Sequence, residues 1–156
     1  MEQQAFQDLI PTNNCFGCGP RNAQGLQIKS YWDEHGAAVC RYQPQPHHAA
    51  GPWQFISGGI IATLVDSHCI CTSIADAYYR EGRQIGSVPL IWYMTRSLSV
   101  TYHRPAPIAT PVELKAEVAE VGPKKTLLTC SVAAAGEKCA TGEVVAVRLP
   151  YEHQEA

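Results

Sequence analysis

One apolar segment limits the folds open to this chain more than any other feature of its sequence. In residues 58–79, aliphatic side chains recur at helical spacings among small residues, namely at Ile60, Ile61, Leu64, Val65, Ile70 and Ile74. This spacing indicates a single long α-helix that is apolar on nearly all of its surface. Because such a surface is unfavourable in water, the segment predicts a buried central helix that the rest of the chain covers.

Shorter alternating segments on both sides of this helix predict strands. Residues 26–32 and 37–42 flank a turn and predict a hairpin. Pro44, Pro46 and Pro52 exclude a central strand between the hairpin and the helix. After the helix, alternation predicts strands at residues 95–102, 112–118, 127–133 and 139–149. The order predicts an α+β fold in which an antiparallel sheet of five or six strands wraps the long helix.

The domain organisation follows from the length and from where the patterns begin and end. A chain of 156 residues is the size of one ordinary domain. We predict an irregular lead-in at residues 1–24, a single domain at residues 25–150 and a short tail at residues 151–156. Pro11, Gly17 and Pro20 interrupt the lead-in, which shows no usable periodicity.

The charge and cysteine content exclude several classes of partner. A formal net charge of -2 with 17% charged residues leaves no basic stripe for nucleic acid and no polybasic membrane patch. The apolar run at residues 58–65 is followed by Asp66, which predicts that no segment reaches the roughly 20 residues of a membrane span. Seven scattered cysteines and an N-terminus without a basic, apolar signal predict a reduced, cytoplasmic protein.

Three motifs match one family of enzymes. Residues 57–66 read SGGIIATLVD, residues 15–20 read CFGCGP, and residues 95–105 read TRSLSVTYHRP. Together with the element order, they resemble the hotdog-fold acyl-CoA thioesterases, in particular the phenylacetate-degradation (PaaI-like) branch, whose signature is His-Gly-Gly, an apolar stretch and then Asp. The resemblance runs in order from about Cys15 to Leu149. Ser57 stands where the family usually has histidine.

The resemblance implies an activity and a set of catalytic residues. It implies hydrolysis of an acyl-CoA thioester to free CoA and a carboxylic acid, with no metal and no cofactor. Gly58 is the expected backbone donor to the thioester carbonyl, since the first N–H groups of a helix lack internal partners and glycine permits close approach. Asp66 is the expected nucleophile or general base, two roles that stay open. Thr95 is expected to hold the carboxylate or the water through its hydroxyl.

The spacing of two of these residues has a consequence for assembly. Asp66 lies eight residues after Gly58, which is about 12 Å along one helix. A single helix therefore cannot bring both residues to one carbonyl. In the family, two subunits dock so that the helix start of one faces the acid of the other. The resemblance thus implies a homodimer as the minimal active unit, alone or within a tetramer.

Four further residues are candidates for substrate binding. Ser57 and Gly59 flank the expected donor, and the Ser57 hydroxyl is suited to capping the helix. His48 lies in the loop before the helix, where a solvated loop residue is the simpler interpretation. Arg104 is a cation able to meet the phosphates of CoA, although exposed surface charge explains it equally well.

Several residues keep more than one interpretation. Cys15 and Cys18 suggest a zinc or redox pair, but zinc needs four ligands and the redox motif needs a different local structure. His68 points away from Asp66 on a helix and predicts packing or an interface. Residues of the third predicted strand region are either core or the lining of an acyl pocket, namely Trp92, Tyr93 and Tyr102.

Two other functions remain as alternatives. A non-catalytic acyl-CoA binding or sensing protein would keep the cleft and lose turnover, and the serine at position 57 favours this interpretation. A hotdog dehydratase acting on acyl-CoA or acyl carrier protein would need a catalytic histidine beside the acid. Neither alternative involves nucleic acid or a membrane.

Overall fold

The apolar segment forms one helix, as predicted. In the computed structural model, which describes residues 2–150, helix α1 spans Gly58–Arg80. Six strands accompany it: β1 Ser30–Trp32, β2 Ala38–Tyr42, β3 Tyr93–Tyr102, β4 Val112–Val121, β5 Lys125–Ala134 and β6 Glu137–Arg148. The predicted tail at residues 151–156 lies outside the described residues.

The six strands form one antiparallel sheet in the order β1-β2-β4-β5-β6-β3. Strands β4, β5 and β6 form the predicted meander. Strand β3 precedes them in sequence but pairs with β6, so it occupies the edge of the sheet. The prediction of an α+β fold with a long buried helix and five or six antiparallel strands is confirmed, with six strands.

The helix is buried because the inward face of each long strand is apolar. On β4, Val112, Leu114 and Ala116 are buried and alternate with exposed residues. The closest approach is at Gly142 on β6, where a Cβ atom added to the glycine would lie 2.5 Å from Cγ1 of Val65. A larger residue at this position would push the helix off the sheet.

The helix itself corrects one prediction. By length and composition, the 23 residues of α1 suffice to cross a membrane, because Asp66 and the polar residues after it do not interrupt the helix. The expectation that no segment reaches this length was therefore wrong. In the fold, 61% of the apolar stretch is buried, as in a core helix packed under a sheet.

The N-terminal hairpin is shorter than predicted. Strand β1 comprises only Ser30–Trp32, so residues 26–29 do not join the sheet. Gln27 has a positive φ of 52°, which breaks an extended strand. The amides of Leu26 and Ile28 donate instead to the carbonyls of Phe16 and Gly17, at 2.8 and 3.2 Å. The sequence did not predict this pairing with the lead-in, because alternation within a segment does not identify the segment that it pairs with.

The lead-in packs as part of the core. It contains one 3-10 turn, Gln7–Leu9, and buries Phe6, Ile10 and Cys18. The predicted loop after β2 contains a second 3-10 turn, Pro46–His48, and no strand of the main sheet. The predicted domain boundary at residue 25 stays a prediction.

A buried polar network joins the lead-in, the helix and the first hairpin. Gln7 Nε2 donates to Ser30 Oγ at 2.9 Å, and Ser30 Oγ lies 2.8 Å from His68 Nδ1. His68 Nε2 lies 3.0 Å from the carbonyl of Ala38. A neutral ring that donates from Nε2 and accepts at Nδ1 satisfies this network. Burial lowers the pKa of His68 to about 4, so His68 is a packing residue.

This network predicts acid sensitivity of the fold. The folded-state pKa of His68 is about 4 against an ordinary value of 6.5, so the unfolded chain binds more protons between these values. The free energy of unfolding should therefore fall by about 3 kcal/mol as the pH decreases from about 6.5 to about 4. Urea denaturation across this range measures it. The His68→Gln variant should show a flatter profile, and an unchanged slope would contradict the assignment.

Candidate active site

The first half of the site joins the middle of α1 to the edge strand. Thr95 Oγ1 on β3 donates a hydrogen bond to Oδ1 of Asp66 on α1, at 2.5 Å. Asp66 is half-buried, whereas Thr95 lies on the exposed edge strand. The structure thus brings together two of the three residues that the resemblance predicts as catalytic.

A β-bulge directs Thr95 toward the helix. Leu98, Val100 and Tyr102 lie opposite Val144, Gly142 and Ala140 of β6, whose inward side faces α1. Strict alternation would put Arg96 on that same face. The register of β3 on β6 shifts between Thr95 and Ser97, which leaves Arg96 as the extra residue and turns Thr95 inward.

The environment of Asp66 alters its acidity. Burial raises the pKa of Asp66 above its ordinary value, and the hydrogen bond from Thr95 partly offsets this rise. The sequence alone does not reveal this burial, because it depends on the segments that pack over the helix. A carboxylate with a raised pKa is a stronger base. Oδ2 of Asp66 accepts no hydrogen bond from residues 2–150 and remains open to a ligand or water.

The second half of the site is the start of α1. Gly58 and Gly59 are exposed, and within residues 2–150 neither amide donates a hydrogen bond. The carbonyl of Ser57 accepts the first helical bonds, from the amides of Ile60 and Ile61 at 3.0 and 3.2 Å. Two unpaired N–H groups at the positive end of a long helix are suited to binding a carbonyl oxygen or an anion.

Packing within the chain does not explain why these positions are glycine. A Cβ at Gly58 would lie 3.5 Å from the Tyr102 ring, and a Cβ at Gly59 would have Oγ of Ser57 as its nearest neighbour, at 3.8 Å. Both distances are ordinary contacts, and neither glycine has a positive φ. Glycine costs about 1 kcal/mol relative to alanine within a helix. Close approach of a ligand to this backbone would account for that cost.

Tyr102 contacts the helix start, a role that differs from the core or acyl-pocket lining that the sequence predicted for it. Its hydroxyl donates to the carbonyl of Gly58 at 2.5 Å, and its side chain is half-exposed. Partial burial raises the pKa of Tyr102, which keeps the phenol protonated as a donor. The bond holds the peptide unit between Gly58 and Gly59 in place. Alternation on β3 predicts the inward face of Tyr102, but only the register of β3 on α1 identifies its partner.

The predicted substrate-binding residues lie in different surroundings. Ser57 occupies the N-cap position, but its side chain makes no capping hydrogen bond, so that expectation was wrong. His48 is buried rather than solvated: burial lowers its pKa, Nδ1 accepts from the amide of Gln45 at 3.0 Å, and its carbonyl accepts from Ser57 at 2.8 Å. Arg104 is exposed and forms an ion pair with Glu137. It lines a cleft of about 350 Å³ beside Gly58.

The two halves are separate within one chain. Asp66 contacts Thr95 near the beginning of β3, and Gly58 contacts Tyr102 at its end. No side-chain hydrogen bond within residues 2–150 links these two pairs. Cys15 and Cys18 lie near Asp66, and all seven cysteines are free thiols. In the part of the chain that the structure describes, no three His, Cys, Asp or Glu side chains are arranged to hold a metal ion.

Comparisons with known proteins give a consistent result. No family model matches the chain. Over 94 residues, or 60% of its length, the chain is 33% identical to acyl-coenzyme A thioesterase THEM4 of Xenopus laevis. It spans about a third of that protein, at 36% of its length.

Solved structures match over more of the chain. A thioesterase superfamily protein of Shewanella loihica is 29% identical, with a TM-score of 0.60, over 84% of this chain and 98% of that one. The BH2602 protein of Bacillus halodurans, solved with CoA, is 23% identical, with a TM-score of 0.61, over 80% of this chain and 76% of that one. The phenylacetate-degradation branch stays a prediction. The sequence and fold are thus similar to those of thioesterase superfamily proteins, and the prediction of a hotdog fold is confirmed.

Proposed function

We propose that the chain hydrolyses an acyl-CoA thioester to free CoA and a carboxylic acid. The observation that carries this proposal is the pairing of a half-buried Asp66, held by Thr95, with two free glycine amides at the start of the same helix. The likeness to an acyl-coenzyme A thioesterase and to a protein solved with CoA supports a CoA thioester as substrate.

A second copy of the chain would complete the site. Within residues 2–150, strand β3 pairs on one side only, with β6, and it exposes the apolar side chains of Met94 and Leu98. Antiparallel pairing of two β3 strands about a two-fold axis between Leu98 and Ser99 would set Thr95 opposite Tyr102 of the other copy. Asp66 of one chain would then face Gly58 of the other. The unpaired edge of β3 and its exposed apolar side chains support the homodimer; a tetramer of such dimers stays a prediction.

In this dimer, the thioester carbonyl oxygen accepts a hydrogen bond from the Gly58 amide, which polarises the carbonyl. As a general base, Asp66 takes a proton from water, and the resulting hydroxide adds to the carbonyl carbon. The oxyanion collapses, the carbon–sulfur bond breaks, and the CoA thiolate takes up the proton that Asp66 holds, which regenerates the carboxylate. As a nucleophile, Asp66 adds to the carbonyl carbon and displaces the CoA thiolate, and water then hydrolyses the mixed anhydride to the carboxylic acid and free Asp66. The raised pKa of Asp66 favours the general-base route.

One alternative has support of its own. Ser57 in place of the family's histidine favours an acyl-CoA binding or sensing protein without turnover. For the dehydratase alternative, the described part of the chain offers no suitable histidine near Asp66, because His68 is fully buried and bound to Ser30 and Ala38. The cytoplasmic location stays a prediction.

The carboxylate of Asp66 is the first residue to test. Asp66→Asn keeps the shape but loses the base, so thiol release from acyl-CoA substrates should fall at least about a hundredfold. The matched control is Asp76→Asn on the same helix, where Asp76 forms an ion pair with Arg80. A panel from acetyl-CoA to palmitoyl-CoA with phenylacetyl-CoA is the assay. Equal activity in Asp66→Asn would refute the mechanism, and tight binding without hydrolysis in the wild type would favour the binding protein.

Substitution of Gly58, at the helix start, should affect stability and activity differently. Gly58→Ala should leave the free energy of unfolding unchanged or raise it by up to about 1 kcal/mol, because the Cβ has room within the chain. The same variant should lower kcat by about a hundredfold through obstruction of the carbonyl. Gly51→Ala, also in open space, is the control for activity. A fully active Gly58→Ala protein would show that the carbonyl binds elsewhere.

Mixing two inactive variants tests whether the site is shared. A heterodimer of Asp66→Asn and Gly58→Ala chains carries one site with both native residues and one with neither. Random pairing of equal amounts should restore about a quarter of wild-type activity. The chains are mixed by unfolding and refolding together, and thiol release is compared with each variant refolded alone. Absence of recovery, with dimers present by light scattering, would place the whole site within one chain.

A further inference from the structure

A cavity lies beside Asp66, between the helix, the edge strand and the lead-in. Its volume is about 200 Å³. The helix lines it with Ile70 and Ile74, and the segment before β3 contributes Trp92. The remaining wall comes from the lead-in, through a segment that we name the N-terminal wall, residues 13–18.

The N-terminal wall is firmly attached to the helix. At Gly17, a Cβ would lie 1.8 Å from Oγ of Ser67, so the backbone sits directly on α1. The carbonyls of Phe16 and Gly17 accept the amides of Leu26 and Ile28. Cys18 is buried at 2% exposure, and Cys15 Sγ lies 3.7 Å from Ser67 Oγ. A segment held by these contacts acts as a rigid wall.

The lining of the cavity changes from polar to apolar along the helix. Asp66, Ile70 and Ile74 succeed one another at four-residue spacing on one helix face and so extend about 12 Å from the carboxylate. The polar end holds Asp66 and Thr95, while Ile74 and Tyr93 are buried at the other end. A carbonyl at Asp66 would therefore have its apolar substituent directed along Ile70 toward Ile74.

We propose that this cavity holds the acyl group and that the N-terminal wall limits its size. An apolar cavity of about 150 Å³ accommodates benzene. By the same measure, a cavity of about 200 Å³ accommodates about eight carbon atoms. The substrate class is a compact apolar acyl group, either a short to medium chain or a single ring on a short linker. This inference rests on the proposed function, since it assigns the acyl site of the same reaction.

Two variants change the cavity in opposite directions. Ile70→Ala removes bulk one helical turn from Asp66, and Cys15→Phe adds bulk from the exposed side of the wall. The ratio of kcat/KM for decanoyl-CoA to that for hexanoyl-CoA should rise about tenfold in Ile70→Ala. Cys15→Phe should lower kcat/KM for hexanoyl-CoA relative to acetyl-CoA by a similar factor. Asn14→Phe adds the same bulk to an exposed neighbour that does not line the cavity, and it should leave both ratios unchanged.

The outcomes separate this inference from the proposed function. Wild-type kcat/KM that peaks at or below octanoyl-CoA and shifts in both variants supports the acyl site. A peak at palmitoyl-CoA, or ratios unchanged in both variants, overturns it while hydrolysis itself stands. If no thioester is hydrolysed, the acyl site is tested by calorimetric measurement of hexanoyl-CoA and palmitoyl-CoA binding to the same proteins. Equal affinity for the two acyl-CoAs overturns the acyl site. If Ile70→Ala or Cys15→Phe melts well below the wild type, Ile70→Val or Cys15→Leu is used in its place.

Discussion

Burial of α1 against the sheet is the constraint on which the other parts of the molecule rely. The contact of Val65 with Gly142 sets the closest approach, and the apolar inward faces of β4, β5 and β6 cover the helix on one side. The lead-in covers part of the other side through Gly17 on Ser67. Because the helix is held along its length, the few polar side chains on its apolar surface have fixed positions. Asp66 is therefore presented at one place in a wall that is otherwise apolar.

The edge strand β3 contributes the residues that complete the candidate site on the helix. Strand β3 lies on β6 and runs past α1, with Thr95 at Asp66 and Tyr102 at Gly58. The bulge at Arg96 is what makes both contacts possible from one strand, since it changes which side chains face inward. Among residues 2–150 of a single chain, nothing pairs with the other edge of this strand. Dimerisation through β3 and completion of the site are thus one event in the proposed mechanism, and the exposed glycine amides are its other half.

Local sequence patterns were sufficient to predict the helix and the strands but not the segments that each of them contacts. Helical spacing predicts α1 nearly to the residue, and alternation predicts every strand except β1 closely. The strand predicted at residues 26–32 was too long, because Gln27 has a positive φ and the amides of Leu26 and Ile28 donate to carbonyls of the lead-in. The expected cap by Ser57 is absent, and His48 is buried instead of solvated.

A buried helix, an α+β order of elements and the residues of a thioesterase-like motif are all present in the amino-acid sequence before any folding is considered. They can be predicted there because periodicity and glycine placement are local properties of the chain. The bond from Thr95 to Asp66, the bond from Tyr102 to Gly58 and the closure of a cavity by residues 13–18 come instead from the folded state. These contacts depend on the bulge, the strand order and the docking of the lead-in. They arise from packing between distant segments, which no local pattern encodes.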